Sequence, residues 1–200
     1  FALFIFSILA IIFYNCFNLD FYKNFYEKEN LAPSINTTSS ELINNTENLL
    51  AYLKDNTSLN KNWFSDKDIL HMIDVKNLYN VSFKVMTFCL IIFVITTIII
   101  IITKKTKTLL YITKTFNKTL VIFILLIAIL AGIIAYNFNS FWIRFHTILF
   151  SNDLWLLSPD ESNLIKMVPE EFFINLITRI ITHIFIVFTL LLITNIVVKR

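Results

Sequence analysis

"LHMIDVKNLYNVSFKVMTFCLIIFVITTIIIIIT", residues 70–103, has two halves of opposite character. From Val81 onward it is almost wholly apolar or Thr, and it is long enough to cross a bilayer as a helix, which takes about 20 residues. Ahead of it, His71, Asp74 and Lys76 lie within six residues of one another. Neither Gly nor Pro separates the halves. One helix is therefore expected to run from a polar start at about 66 into the apolar run, with an ionisable cluster where it enters the membrane.

Working outward, three more segments are of spanning character: 1–19, 120–136 and 176–198. The first exceeds the apolar core of a signal peptide and lacks a small-x-small cleavage pattern, so it reads as a retained helix. Mean hydropathy is +0.70. Apolar residues make up 56% of the chain and Gly occurs once, which excludes an ordinary soluble domain. The expected fold is an all-α integral membrane protein: four transmembrane helices with a small extracytoplasmic cap, in a single membrane unit spanning 1–200.

Charge sets the orientation. The loop 104–118 carries Lys104, Lys105, Lys107, Lys114 and Lys118 without an acid, and Lys199 and Arg200 follow the last span. By the positive-inside rule that loop and both termini are cytoplasmic. Segments 20–80 and 137–172 then form the cap, and they hold all 14 Asp and Glu residues. The net charge of +3 is a topology signal. No basic face of the kind that binds nucleic acid appears.

Within the cap, Ser40 is placed to cap a helix from 41 to about 54, and Ser65 with Asp68 forms a capping box opening the helix at 66. Asn139 or Ser140 is placed to cap an aromatic helix at 141–150, and Pro169 opens the last helix. Cys16 and Cys89 fall inside spans and read as packing residues, not as a disulfide or metal pair.

There are three histidines. His71 shares a helical face with Asp74, whose carboxylate can hold one ring nitrogen and leave the other for proton transfer. A solvated His–Asp pair at a helix start is the plainer alternative. His146 lies between Trp142 and Phe150 at helical spacing, and its plainer reading is an interfacial ring. His183, a turn beyond Arg179, reads as a helix-packing residue. The chain has no Gly-rich phosphate loop, no HExxH, no GxSxG and no clustered metal ligands, so neither a metal nor a cofactor is expected.

Two stretches resemble a known family. "HMIDVKNLY" at 71–79 and "RFHTILFSNDLWLLSPDESNLIKMVPEEFF" at 144–173 are similar to the motifs of bacterial lipoprotein intramolecular transacylases. The matching features are His-Met-x-Asp-Val-Lys before a span, Phe-His with a Trp soon after, and Pro-x-x-Phe-Phe leading into the last helix. The resemblance implies a four-helix protein of the bacterial plasma membrane, with its active site at the extracytoplasmic interface. Its substrate would be the lipidated N-terminus of a lipoprotein within membrane lipid. The implied reaction moves the sn-2 acyl chain of an S-diacylglyceryl cysteine to that cysteine's own α-amine. His71 and His146 would be the acid and base. Phe150 and Trp155, with Phe141, Trp142 and Phe145, would enclose them. Asp74 and Asp153 would orient the histidines or attract the substrate ammonium, and Lys76 or Arg144 would stabilise the oxyanion. The competing reading is a non-enzymatic membrane sensor or assembly factor whose cap binds a partner. A transporter is less consistent with spans so poor in ionisable residues.

Overall fold

In a computed structural model, which describes residues 1–54, 57–104 and 108–198, every regular element among the described residues is helical. In chain order they are α1 (Ala2–Cys16), α2 (Leu19–Lys28), α3 (Leu31–Ser34), α4 (Ser39–Lys54), α5 (Asp66–Lys104), α6 (Thr108–Tyr136), α7 (Phe138–Leu149), α8 (Asn163–Met167) and α9 (Glu170–Val198). Helices α5, α6 and α9 are long and apolar enough to cross a bilayer, and α1 with α2 makes a fourth, broken candidate.

The helix α5 is continuous from the polar turns into the apolar run, as the absence of Gly and Pro predicts. At 39 residues it is about 58 Å long, nearly twice a hydrocarbon core of about 30 Å. Its first turns must therefore lie outside the hydrocarbon. The capping box forms as expected: Ser65 N–H donates to Asp68 Oδ2 at 3.0 Å and Asp68 N–H to Ser65 Oγ at 3.2 Å.

Several boundaries differ from expectation. The first apolar helix ends at Cys16, because Asn18 Oδ1 accepts from Phe21 N–H and opens α2. Thr38, not Ser40, caps α4, accepting from Glu41 N–H at 3.1 Å. In a run of neighbouring hydroxyls, the one that meets the free N–H decides the start. Asn137 caps α7 through Ser140 N–H at 2.8 Å, in place of Asn139 or Ser140. The loop placed at 104–118 shrinks, because α6 already begins at Thr108. Nothing in that sequence breaks a helix, and Lys114 and Lys118 stand one turn apart on it, exposed. Lys105, Lys107, Lys199 and Arg200 lie outside the described residues.

The chain divides into two compact units. The first comprises Phe1–Phe13, Ser82–Phe141 and Thr178–Arg200. Its core is Phe4 from α1, Leu120 and Ile127 from α6, and Ile184 and Phe188 from α9. Phe4 stacks on Phe123 at 5.1 Å and meets the edge of Phe188 at 5.2 Å, favourable geometries for aromatic pairs. By contrast, the apolar side chains of α5 are mostly exposed, Phe88 at 62% and Ile102 at 66%. A surface of that kind belongs in lipid.

The second unit comprises Tyr14–Val81 and Trp142–Ile177. Its core is aromatic: Tyr22, Phe25 and Phe172 lie within 5.3 Å of one another through Phe172. Tyr26 hydroxyl meets Thr46 hydroxyl at 2.9 Å, so both polar tips are satisfied inside. His71, His146, the rings packed on them and the cleft beside them lie within this unit.

Candidate active site

The capping box fixes the rotation of α5. Positions 68, 71 and 72, spaced i, i+3 and i+4, are buried together as Asp68, His71 and Met72. Opposite them, α7 buries His146 to 6% exposure, and His71 is at 8%. The two imidazole ring centroids are 6.2 Å apart. Sequence separates them by 75 positions; the fold makes them neighbours.

Aromatic rings enclose the pair. Trp155 stacks on His146 at 4.8 Å, Trp142 meets it edge-on at 4.6 Å, and Phe145 at 5.3 Å. Phe150 touches both histidines, 5.3 Å from His71 and 5.7 Å from His146. Phe150 also lines an open cleft of about 280 Å³, together with Asp74, Asn77, Leu78, Val81, Leu149, Ser151 and Asn152. Polar groups on one turn of α5 and apolar groups on the next give this cleft a wet end and a greasy end.

The histidines differ in hydrogen bonding. His146 Nδ1 lies 2.8 Å from the Trp142 carbonyl oxygen. A carbonyl only accepts, so Nδ1 carries the proton and Nε2 presents a lone pair. His71 Nδ1 is buried, and among the described residues no group bonds to it. Burial, and secondarily the like charge of a protonated His146, push the His71 imidazole down from its ordinary 6.5 to about 4, against the opposing pull of Asp74 and Asp68. Burial also lowers His146, while its bond to the Trp142 carbonyl raises it. Two such rings hold at most one proton between them near neutral pH.

Proteins of known family and structure resemble this chain in sequence and in fold. The sequence profile of the lipoprotein intramolecular transacylases, Lit, matches residues 1–173. The chain belongs to that family. The in meso structure of the membrane integral lipoprotein intramolecular transacylase Lit from Bacillus cereus is similar over 100% of this chain and 94% of that one, with a TM-score of 0.76 at 28% identity. Two further structures of the Bacillus cereus Lit, with one histidine changed to Arg or to Ala, match at a TM-score of 0.77 and 27% identity. They cover 98% of this chain and 87% and 88% of theirs. No curated protein sequence matches significantly. With its long apolar helices, this transacylase-family chain is a membrane protein.

The remaining residues singled out in this Lit-family sequence are distributed unevenly. Asp74 is half-buried and accepts from Asn152 Nδ2 at 2.9 Å, so it pins the loop after α7 and makes no hydrogen bond to His71. Lys76 Nζ sits over the Tyr52 ring at 4.5 Å. Arg144 is exposed and two residues from His146, about 200° around the helix from it. Asp153 is exposed. Phe141 meets Phe138. His183 stands in the other unit, half-buried on α9.

Other residues emerge only in three dimensions. Asp68 is fully buried and accepts from Ser162 Oγ–H at 2.5 Å. Lys67 Nζ donates to the Leu156 carbonyl at 2.6 Å, and Asn163 Nδ2 to the Trp63 carbonyl at 2.8 Å. With Asp74–Asn152, these tethers bind the segment 152–163 to the start of α5 and so hold Trp155 against His146. A polar-rich loop beside an aromatic helix hints at such tethers in sequence, but nothing local pairs positions about 90 residues apart.

Proposed function

We propose that this protein transfers the sn-2 acyl chain of an S-diacylglyceryl cysteine to the α-amine of the same cysteine, leaving a lyso-form lipoprotein, by acid–base catalysis shared between His146 and His71. The observation that carries the reading is the approach of the two imidazoles, centroids 6.2 Å apart, inside an aromatic enclosure.

His146 is the base. Its Nδ1–H is committed to the Trp142 carbonyl, so Nε2 receives the proton. The substrate amine, whose ordinary pKa is about 7.7–8.0, must shed its ammonium proton and attack as the free base. Its nitrogen lone pair forms the N–C bond to the ester carbonyl carbon. The carbonyl π pair moves to oxygen, and His146 Nε2 takes one of the two amine protons, the other staying as the N–H of the product amide. On collapse the C–O bond breaks and the glyceryl oxygen leaves with its electron pair. The proton passes from His146 to His71, and His71 delivers it to that oxygen. Protons balance, and no acyl-enzyme forms. Depressed proton affinity suits the pair, because a proton borrowed for one step is released in the next.

Attack closes a medium-sized ring through the amine, the cysteine carbons, sulfur and glyceryl. Holding amine and ester together therefore supplies much of the rate. Trp142, Phe150 and Trp155 offer that confinement beside the cleft. The second unit is taken to lie on the extracytoplasmic face of the bacterial plasma membrane, since the acids gather in it and Lys114 and Lys118 stand in the other.

Substrate and product are isomers, so intact mass does not distinguish them. The test is tandem mass spectrometry of a synthetic diacylglyceryl lipopeptide incubated with the purified protein. The expected result is an amide-linked acyl chain on the N-terminal residue and loss of free-amine reactivity at unchanged mass. Release of free fatty acid, or an amine that stays free, would overturn the assignment.

A further inference from the structure

Among the described residues Asp68 is the only fully buried carboxylate, and acyl transfer by the two histidines leaves it without a task. Both its oxygens are occupied: Oδ2 accepts from Ser65 N–H at 3.0 Å and Oδ1 from Ser162 Oγ–H at 2.5 Å. It sits in the first turn of α5, where the helix dipole favours negative charge. Yet the ion pair found among the described residues is Lys28–Glu29, so no Lys or Arg neutralises Asp68. A buried anion without a cation is an expensive way to cap a helix, and a neutral Gln or Ser side chain would accept the same N–H.

One turn further along the same buried face stands His71. The charged or titratable groups bearing on its ring are His146 from α7, and Asp74 and Asp68 from α5. Asp74 pulls on the ring more than Asp68 does, but it is half-exposed and tied to Asn152, where water and salt weaken it. Asp68 is buried, away from that screening. We propose that Asp68 is the fixed counter-charge of the histidine pair, a positioning residue that lets one proton reside on the two imidazoles during acyl transfer. It touches neither substrate nor reacting atoms, and it neither gains nor loses a proton. The role rests on the assignment of the histidines as acid and base.

The experiment compares Asp68→Asn, which keeps shape and one acceptor but removes the charge, with Ser162→Ala, which removes a hydrogen bond but keeps the charge. Two readouts are followed against pH: kcat/KM on a diacylglyceryl lipopeptide, and the imidazole NMR signal of His71 in the substrate-free protein. Asp68→Asn should move both acidic midpoints lower by about one pH unit, roughly tenfold in proton affinity, as expected for losing a nearby opposite charge. Ser162→Ala should leave both in place. A folded Asp68→Asn protein with unmoved midpoints, or Ser162→Ala shifting them equally, would overturn the proposal and leave Asp68 a helix cap. Should Asp68→Asn not fold, the carboxyl carbon signal of Asp68 in the unsubstituted protein decides. An ionised carboxylate through the working pH range supports the role, and a protonated acid at neutral pH removes it. The His71 titration needs no turnover, so absence of transacylase activity would count against the acyl-transfer reading alone.

Discussion

The two units solve the problem of polarity in opposite ways. In the first, Phe4, Leu120, Ile127, Ile184 and Phe188 form a purely apolar core, and polar side chains are few. Its notable polar contact, Asn195 with Asn117 and the Thr113 carbonyl, is a closed one in which donor meets acceptor. In the second, buried polar groups are numerous and are satisfied by tethers between distant segments, such as Ser162 to Asp68 and Asn163 to Trp63. Among those left open are the buried His71 Nδ1 and Trp63 Nε1. Neither has a counterpart in the apolar core of the first unit. Of the two, the His71 ring also faces a second titratable ring, His146, which makes it the candidate for chemistry. The difference teaches where to look: reactivity sits in the unit able to hold buried polarity in fixed places.

The strongest test of that contrast exchanges a histidine in each unit. His146→Ala or His71→Ala should cost about 10²–10⁴ in turnover, the usual worth of positioned proton transfer. The double variant should be little worse than either single one, since the residues act together. His183→Ala, in the first unit, should retain turnover within a few-fold. The assay is lipopeptide conversion by folded, purified variants. Near-normal turnover in either variant of the pair, or a His183 loss as large as theirs, would dissolve the distinction between the units.

A smaller effect concerns stability against pH. The folded-state pKa of His71 is depressed from 6.5 to about 4. Above about 6.5 both folded and unfolded forms are neutral, and the full stability is present. As pH falls from there toward about 4, the unfolded chain takes the proton first, so stability is lost across that window. Melting temperature in detergent should fall over this range, and less steeply in His71→Gln. Equal slopes in both proteins would show that His71 is not buried neutral.

How far the sequence foretold this contrast depends on the range of the interaction. Local signals were legible: the Ser65–Asp68 capping box formed, α5 ran unbroken, and Pro169 preceded α9. Cap choice failed by two or three residues at α4 and α7, because adjacent Ser, Thr and Asn side chains compete for one free N–H. The helices α2, α3 and α8 were not resolved, since short helices carry too few turns for a periodic signal. His71 and His146 were legible only through the motifs around them. The tethers of Asp68 to Ser162 and of Asp74 to Asn152 were not legible, since their partners stand 94 and 78 residues apart. Asp74 shows the cost of local reasoning. Its i+3 spacing suggested a bond to His71, but its carboxylate is bonded to Asn152.

The closed polar contact of the first unit should matter modestly, and only for stability. Asn195→Ala removes the bonds to Asn117 and Thr113. Interhelical hydrogen bonds in membranes average about 0.6 kcal/mol and reach about 1.7. A loss of roughly 1 kcal/mol is expected, read as a small drop in melting temperature, with turnover unchanged. A turnover loss comparable to that of the second-unit histidines would mean that the first unit reaches into the chemistry.

The smallest expected effect is none, on removing metal ions. Both imidazoles already have work that a metal would displace. His146 Nδ1–H is spent on the Trp142 carbonyl, and in the proposed transfer its Nε2 takes the amine proton. His71 has Asp68 and Asp74 in its field, yet among the described residues no three His, Cys, Asp or Glu side chains are grouped as metal ligands. Catalytic zinc takes three protein ligands with an open fourth position, and the two histidines alone fall short of that. Proton transfer between them requires no Lewis acid, because the ester carbonyl is attacked by an amine and not by an activated water. Dialysis against a strong chelator, followed by the lipopeptide assay in chelated buffer, should therefore leave the rate unchanged. A loss that one added transition metal restores would turn the pair from acid and base into ligands and would require the acyl transfer to be rewritten around that ion.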